Sequence, residues 1–215
     1  MNTFIGICGP IGSGKTYTAT KLIELFNQNG IPAQKVSFAG TLKAVTERMF
    51  HLGLRGRYEL LYDTFRPYGS ESRSILAAII GTVYFSVSFA HVKMNEKAKL
   101  RPWYQFLGTE LGRWVNPNLW ILHLQDSIYM KPAVYIADDV RFFNEARFCN
   151  ILVRLNTEDS EDYQTYVESL PEGYVRQHAS EEEFHFFHPD VEVIAHSNDV
   201  SSLFDTIKRM KDNTW

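Results

Sequence analysis

The 215-residue sequence predicts a three-layer α/β fold, with a mostly parallel five-stranded sheet and helices on both of its faces. Three observations lead there. Five short apolar runs are separated by helical segments. The first of them, Thr3–Cys8, runs into Gly9, as a buried parallel strand ending at a turn does. Directly after it, Ala19, Leu22, Ile23 and Phe26 repeat at i, i+3, i+4 and i+7, the signature of an amphipathic helix.

The remaining elements follow in order. Gly30 and Pro32 end the first helix. Gln34–Ala39 reads as a second strand, and Thr41–Phe50 as a helix with Leu42, Val45 and Met49 inward. The stretch 51–99 carries Arg55, Arg57, Arg66 and Arg73 and has no clear periodicity. Pro102 suits the first turn of a helix bearing Trp103, Phe106, Leu107 and Leu111. Asn116-Pro117-Asn118 makes a turn before a helix from Leu119 to about Tyr129. Ala133–Ala137 and Ile151–Leu155 are strands on either side of a helix at Phe142–Cys149. Glu158–Pro189 is polar and acidic with one helix, followed by a strand at Val191–Ala195 and a helix at Ser201–Met210. One domain, 1–215, therefore carries two excursions: a helical insertion at 40–130 and a lid-like one at 156–190.

Bulk properties narrow the function. Apolar residues make up 45% and charged residues 22%, ordinary for a globular chain that removes roughly 70% of its unfolded surface from water. A net charge of −3 gives no footprint for polymeric nucleic acid. Cys8 and Cys149 form no CxxC pair, and the N-terminus lacks a basic signal region, so a reducing, cytoplasmic location is expected. Ser74–Val92 holds no Asp, Glu, Lys or Arg and approaches the length of a membrane span. Gly81, Thr82, Ser86, Ser88 and His91 interrupt it, and its second half alternates. A buried segment at a subunit contact is expected instead, with no membrane partner.

Gly9-Pro10-Ile11-Gly12-Ser13-Gly14-Lys15-Thr16 matches G-x-x-x-x-G-K-[ST] without departure, between an apolar strand and an amphipathic helix. The glycines let backbone N–H groups wrap around phosphate oxygens in conformations a Cβ obstructs. The helix N-terminus adds further N–H groups and partial positive charge. Gly9, Ile11, Gly12, Ser13, Gly14, Lys15 and Thr16 are thus the expected contacts to a nucleoside triphosphate. Lys15 reaches the outer phosphates and Thr16 ligates Mg²⁺.

The second informative stretch is the apolar run Val134–Ala137, which leads into Asp138-Asp139-Val140-Arg141. That places carboxylates at the carboxyl edge of the sheet, where open α/β folds bind ligands. One of the two aspartates is expected to serve Mg²⁺, which of them being open, and Arg141 offers a fork to phosphate. On the helix after Pro102, Arg101 and Gln105 share a face at i, i+4, pairing a phosphate-gripping cation with a base-reading amide. The same spacing also describes a solvated helix face. His178, His185 and His188 lack zinc-site spacing, so a polar lid is expected there.

These motifs, with Phe38–Lys43, Leu107–Glu110, Asp139–Glu145 and His178–Glu181, occur in an order that resembles the deoxynucleoside monophosphate kinases of tailed bacteriophages. The resemblance spans about residues 4–210 but rests on short motifs between dissimilar stretches. It implies the P-loop NTPase fold, ATP and Mg²⁺ as cofactors, and phosphoryl transfer to a deoxynucleoside monophosphate. It also implies that the protein can be a homodimer. By position it makes Lys15, Asp139 and Arg141 catalytic. Lys43, Arg101, Gln105, Trp120, Asp138 and Arg141 become the acceptor side, and Thr16 with Asp138 the metal pair. Trp120 fits an aromatic platform for a base or a core position equally well. Rival readings are another small P-loop kinase, such as one acting on dephospho-coenzyme A, a nucleotide-binding switch, and a membrane-associated ATPase.

Overall fold

The computed structural model describes residues 2–10, 12–88, 100–128, 134–156, 183–194 and 200–211. These divide into two compact units, one formed by 1–37 with 129–215 and the other by 38–128.

The first unit is built on a five-stranded sheet of β1 (Thr3–Cys8), β2 (Ala33–Val36), β3 (Val134–Ala137), β4 (Ile151–Asn156) and β5 (Val191–Ile194). Their spatial order is β2-β3-β1-β4-β5, and every pairing is parallel. The apolar gradient across the sheet matches this order. β3 is buried throughout and β1 nearly so, whereas edge strand β5 exposes alternate residues and edge strand β2 exposes its central Gln34 and Lys35. Helices α1 (Lys15–Gln28) and α9 (Val200–Met210) cover one face. Their Ala19, Leu22, Phe26, Leu203, Phe204 and Ile207 pack on Ile5, Ile7, Ile136 and Val153. On the opposite side of the pleat, Phe4 stacks with Tyr135 and meets Phe148 of α8 (Phe143–Phe148). Gly6 lies under Cys149, and a Cβ there would come within 2.6 Å of its Sγ.

The second unit contains α2 (Gly40–Met49), α3 (Leu54–Phe65), α4 (Glu71–Ser88), α5 (Arg101–Gln105), a π-helical stretch (Phe106–Gly112), α6 (Arg113–Val115) and α7 (Leu119–Ser127). Among its described residues, the segment without clear periodicity is therefore two helices. The α4 face formed by Ser74, Ala77, Ala78, Gly81, Thr82 and Phe85 is buried against α3 and the π-helical stretch. These residues are small enough that Leu61 approaches Gly81 closely, and a Cβ on Gly81 would lie 2.7 Å from it. Phe85 then joins Phe50 and Trp103, with ring centroids 4.2–5.6 Å apart. Residues Phe85–Ser88, whose alternation argues against a lipid-facing helix, continue α4, with the Ser86 hydroxyl donating to the Thr82 carbonyl at 2.7 Å. Within the chain the uncharged run is buried on one side only, since Leu76, Ile79, Ile80, Val83 and Val87 are exposed.

Of the two readings of Trp120, the structure favours the core position over a platform for a base: only 4% exposed, it belongs to the core of the helical unit and donates from its indole N–H to the Gly108 carbonyl at 2.8 Å. That geometry explains the glycines of the Leu107–Gly112 motif. A Cβ on Gly108 would meet Leu42 Cδ2 at 2.6 Å, and one on Gly112 would meet Trp120 Cζ2 at 2.7 Å and the Leu107 carbonyl at 2.9 Å. His123 bonds the Thr64 carbonyl through Nε2 at 2.8 Å. Burial holds its imidazole below the usual value, outweighing that bond and the charge of Asp126.

Two outcomes are expected. Gly112→Ala should lower unfolding free energy by about 1–3 kcal/mol in urea titration, because backbone and a packed indole cannot yield. Gly108→Ala should cost less, since only the end of Leu42 has to move; equal losses would refute this packing account. Because His123 takes up protons more readily when unfolded, stability should fall as pH drops below 6.5, and His123→Gln should flatten that slope.

Candidate functional site at the carboxyl edge of the sheet

β1 ends at Cys8, and the chain turns through the Gly9–Thr16 loop into α1. Gly9, Gly12 and Gly14 have φ values of 143°, 82° and 79°. At Gly9 a Cβ would also lie 2.5 Å from the Leu155 carbonyl, so the tight turn off the sheet needs glycine twice over. Above Gly14 there is nothing within 4 Å of a built Cβ. The α1 N-terminus has no side-chain cap, which leaves its first-turn N–H groups available to an anion. Ser13 Oγ is buried and has no hydrogen-bond partner among the described residues. Lys15 Nζ donates to the carbonyls of Gly9 at 2.8 Å and Pro10 at 2.5 Å, so its ammonium lies over the loop. Ile11 lies outside the described residues.

Parallel pairing of β3 beside β1 aligns Gly6 with Ala137, so Asp138 leaves the sheet edge next to the loop. Its carboxylate accepts from Thr16 Oγ1 at 2.6 Å and from Lys35 Nζ at 2.7 Å. Burial by itself would raise this carboxyl; the hydrogen bonds from Lys35 and Thr16 and the Lys35 charge more than offset it, holding Asp138 below the ordinary carboxylate range. Asp139 instead accepts from Ser37 Oγ at 2.6 Å. Arg141 follows, its backbone N–H donating at 2.8 Å to the buried Glu145 carboxylate. Glu145 also takes the Phe142 N–H at 3.2 Å, and so closes the start of α8. Thus Thr16 and Asp138 are brought together, and two oxygen donors of this kind suit a hard divalent cation.

Lys35 and Ser37 are polar partners that sequence reasoning did not single out. Lys35 sits in an edge strand, and its alignment with Ile136 depends on β2 pairing with β3, across a separation of about a hundred residues. The remaining expected acceptor residues, Lys43, Arg101, Gln105 and Trp120, lie in the helical unit. Lys43 is exposed on α2. Arg101 and Gln105 are half-buried rather than solvated, and Gln105 Nε2 is buried without a hydrogen-bond partner among the described residues. The same unit has a cleft of about 590 Å³ between α2, α3 and α7, with Val45, Leu52 and Leu60 as its walls and Arg48, Asp63 and His123 as polar groups. His185 and His188 gather no further ligands, since no group of three or more His, Cys, Asp or Glu side chains forms a metal site among the described residues. His178 and most of the lid-like excursion lie outside the described residues. Among the described residues, no helix is long and apolar enough to cross a membrane.

The depressed Asp138 carboxyl predicts an acid-dependent stability difference. In the wild type its contribution is present above pH 3.8 and is lost as pH falls through its lower folded value. Denaturation of Asp138→Asn should therefore show a deficit at neutral pH that vanishes at strongly acidic pH; a deficit independent of pH would contradict the charge pairing. In comparisons with known proteins, no protein-family model and no curated protein matches this chain.

Proposed function

We propose that the chain is a deoxynucleoside monophosphate kinase of P-loop NTPase type, transferring the ATP γ-phosphoryl group to a deoxynucleoside monophosphate. The observation carrying this reading is the Thr16–Asp138 contact at 2.6 Å beside a loop of three positive-φ glycines. Phosphate binding and cation binding are thereby supported at one place by residues 122 positions apart in the chain. The order of motifs resembling phage deoxynucleoside monophosphate kinases supplies the acceptor class.

A loop turned by three positive-φ glycines, an unpartnered Ser13 hydroxyl and uncapped α1 N–H groups suit a phosphate chain. Thr16 and Asp138 would hold Mg²⁺, which when bound neutralises phosphate charge. Lys15 supplies the ammonium nearest the cradle and offsets charge on the transferring group. Lys35 holds the Asp138 carboxylate in place and ionised. Asp139, tied to Ser37, fixes the turn that carries Arg141, the cation suited to a bidentate grip on phosphate. In the helical unit, Arg101 and Gln105 are the acceptor groups, the buried Gln105 amide being suited to a base edge. No general base is required, because an acceptor phosphate oxygen is already ionised at neutral pH.

A coupled ADP-release assay against nucleoside and deoxynucleoside monophosphates, with dephospho-coenzyme A alongside, decides the acceptor. Turnover with deoxynucleoside monophosphates and a diphosphate product is expected. Lys15→Ala should lower kcat by about 10²–10³-fold with the far-UV circular dichroism unchanged. Turnover on dephospho-coenzyme A alone would move the reading to a different small kinase, and ATP hydrolysis indifferent to every acceptor would favour a nucleotide switch.

A further inference from the structure

One oxygen of the Asp138 carboxylate takes two donors. Thr16 Oγ1 donates to Oδ2 at 2.6 Å, and Lys35 Nζ donates to the same atom at 2.7 Å. Strand register produces this convergence. Lys35 pairs with Ile136, and Asp138 follows Ile136 by two residues, so both side chains lie on the face of the sheet that α1 covers. Thr16 meets them there from the first turn of α1. The two charged partners differ in freedom. The Asp138 side chain is 9% exposed, whereas that of Lys35 is 43% exposed on an edge strand. The carboxylate is therefore fixed, and the lysine, on its flexible four-carbon stem, can leave it for water. Lys15, the other lysine of this edge, donates to the Gly9 and Pro10 carbonyls, so among the described residues Lys35 is the cation that contacts Asp138.

We infer that Lys35 is an internal competitor for the divalent cation: its ammonium sits on the Asp138 oxygen that the ion needs, and the ion is admitted only as Lys35 lets go. The inference rests on the reading of Thr16 and Asp138 as the cation pair and goes beyond it by giving a role to a residue outside that pair. Spacing supports it. Mg²⁺ takes its oxygens in an octahedron at about 2.1 Å, which sets adjacent ligands about 3 Å apart. Thr16 Oγ1 and Asp138 Oδ2, at 2.6 Å, approach that spacing, so Oδ2 is the carboxylate oxygen placed to share an ion with the threonine. Lys35 lies on that same oxygen. Two cations on one oxygen would stand within about 5 Å of each other, where repulsion is poorly screened beside a mostly buried carboxylate. Charge balance supports it as well. A carboxylate so little exposed needs a cationic partner, and Lys35 supplies one that can be exchanged. A triphosphate tips the exchange, because its anionic oxygens attract both the ion and the released ammonium. The site should therefore take a divalent ion poorly by itself and readily together with a nucleotide.

Mn²⁺ shares the oxygen preference of Mg²⁺, and its binding to the full chain, without nucleotide, can be followed by electron paramagnetic resonance. Lys35→Met should bind Mn²⁺ at least about 10-fold more tightly than the wild type, because a neighbouring cation changes a carboxylate's affinity for a proton by roughly one to three decades. Adding Asp138→Asn to Lys35→Met should remove the gain. Arg55→Met, which takes one positive charge from an exposed ion pair on α3, should leave Mn²⁺ affinity at the wild-type value. Lys35→Gln should reproduce the gain, and it serves as the test if the methionine variant loses the wild-type circular dichroism spectrum. Unchanged affinity in the Lys35 variants would overturn the inference. So would a gain that survives Asp138→Asn, or one that Arg55→Met matches. No acceptor or turnover enters these measurements, so those outcomes leave the kinase reading standing. Mn²⁺ binding absent from every variant would instead remove the cation pair itself, and the inference with it.

Discussion

The hydrogen bond from Thr16 to Asp138 joins the first turn of α1 to the end of β3, and the geometry of the sheet edge depends on it. It exists because β1 and β3 are neighbours in register, so that the loop after Cys8 and the turn after Ala137 leave the sheet at the same level. Parallel strands guarantee this alignment of carboxyl ends in a way antiparallel strands do not. Lys35 then completes the cluster from β2 on the far side of β3. Three strands thus converge on one carboxylate, and the resulting pull on its proton exceeds the cost of its burial.

The helical unit obeys a different constraint, the close approach of helices over glycine and alanine. Gly81 admits Leu61, Gly108 admits Leu42, and Gly112 admits Trp120. Each position would be overfilled by one methyl group, so motif residues that look like recognition elements serve packing first. The π-helical stretch through Phe106–Gly112 sits where these approaches are densest.

Legibility in the sequence varied with the range of the interactions involved. The Gly9–Thr16 loop was readable because its chemistry is local: glycines, a lysine and a helix start within eight residues. α1, α2 and α9 were readable because each has one buried side and so a clean period. α4 was not, because it is apolar all round: small residues face the core and large ones face outward, which erases the contrast that period analysis needs. In α3, Tyr58, Leu61 and Phe65 keep helical spacing, but Arg55, Arg57 and Gly56 break up the pattern. Arg57 turns inward over the Phe85 ring at 4.8 Å and donates to Ser86 Oγ at 3.0 Å, so this cation lies partly within the unit.

By itself, the sequence determined the alternating α/β plan, the loop with its lysine and threonine, and the presence of acidic groups at the end of β3, because propensity and short spacing carry that information. The tertiary structure decided which aspartate meets Thr16, that Lys35 pairs with it, that Trp120 is a core residue, and that the large aliphatics of α4 face outward. Those outcomes depend on strand register and on which helix face finds a partner, and both are settled only between residues far apart in the chain.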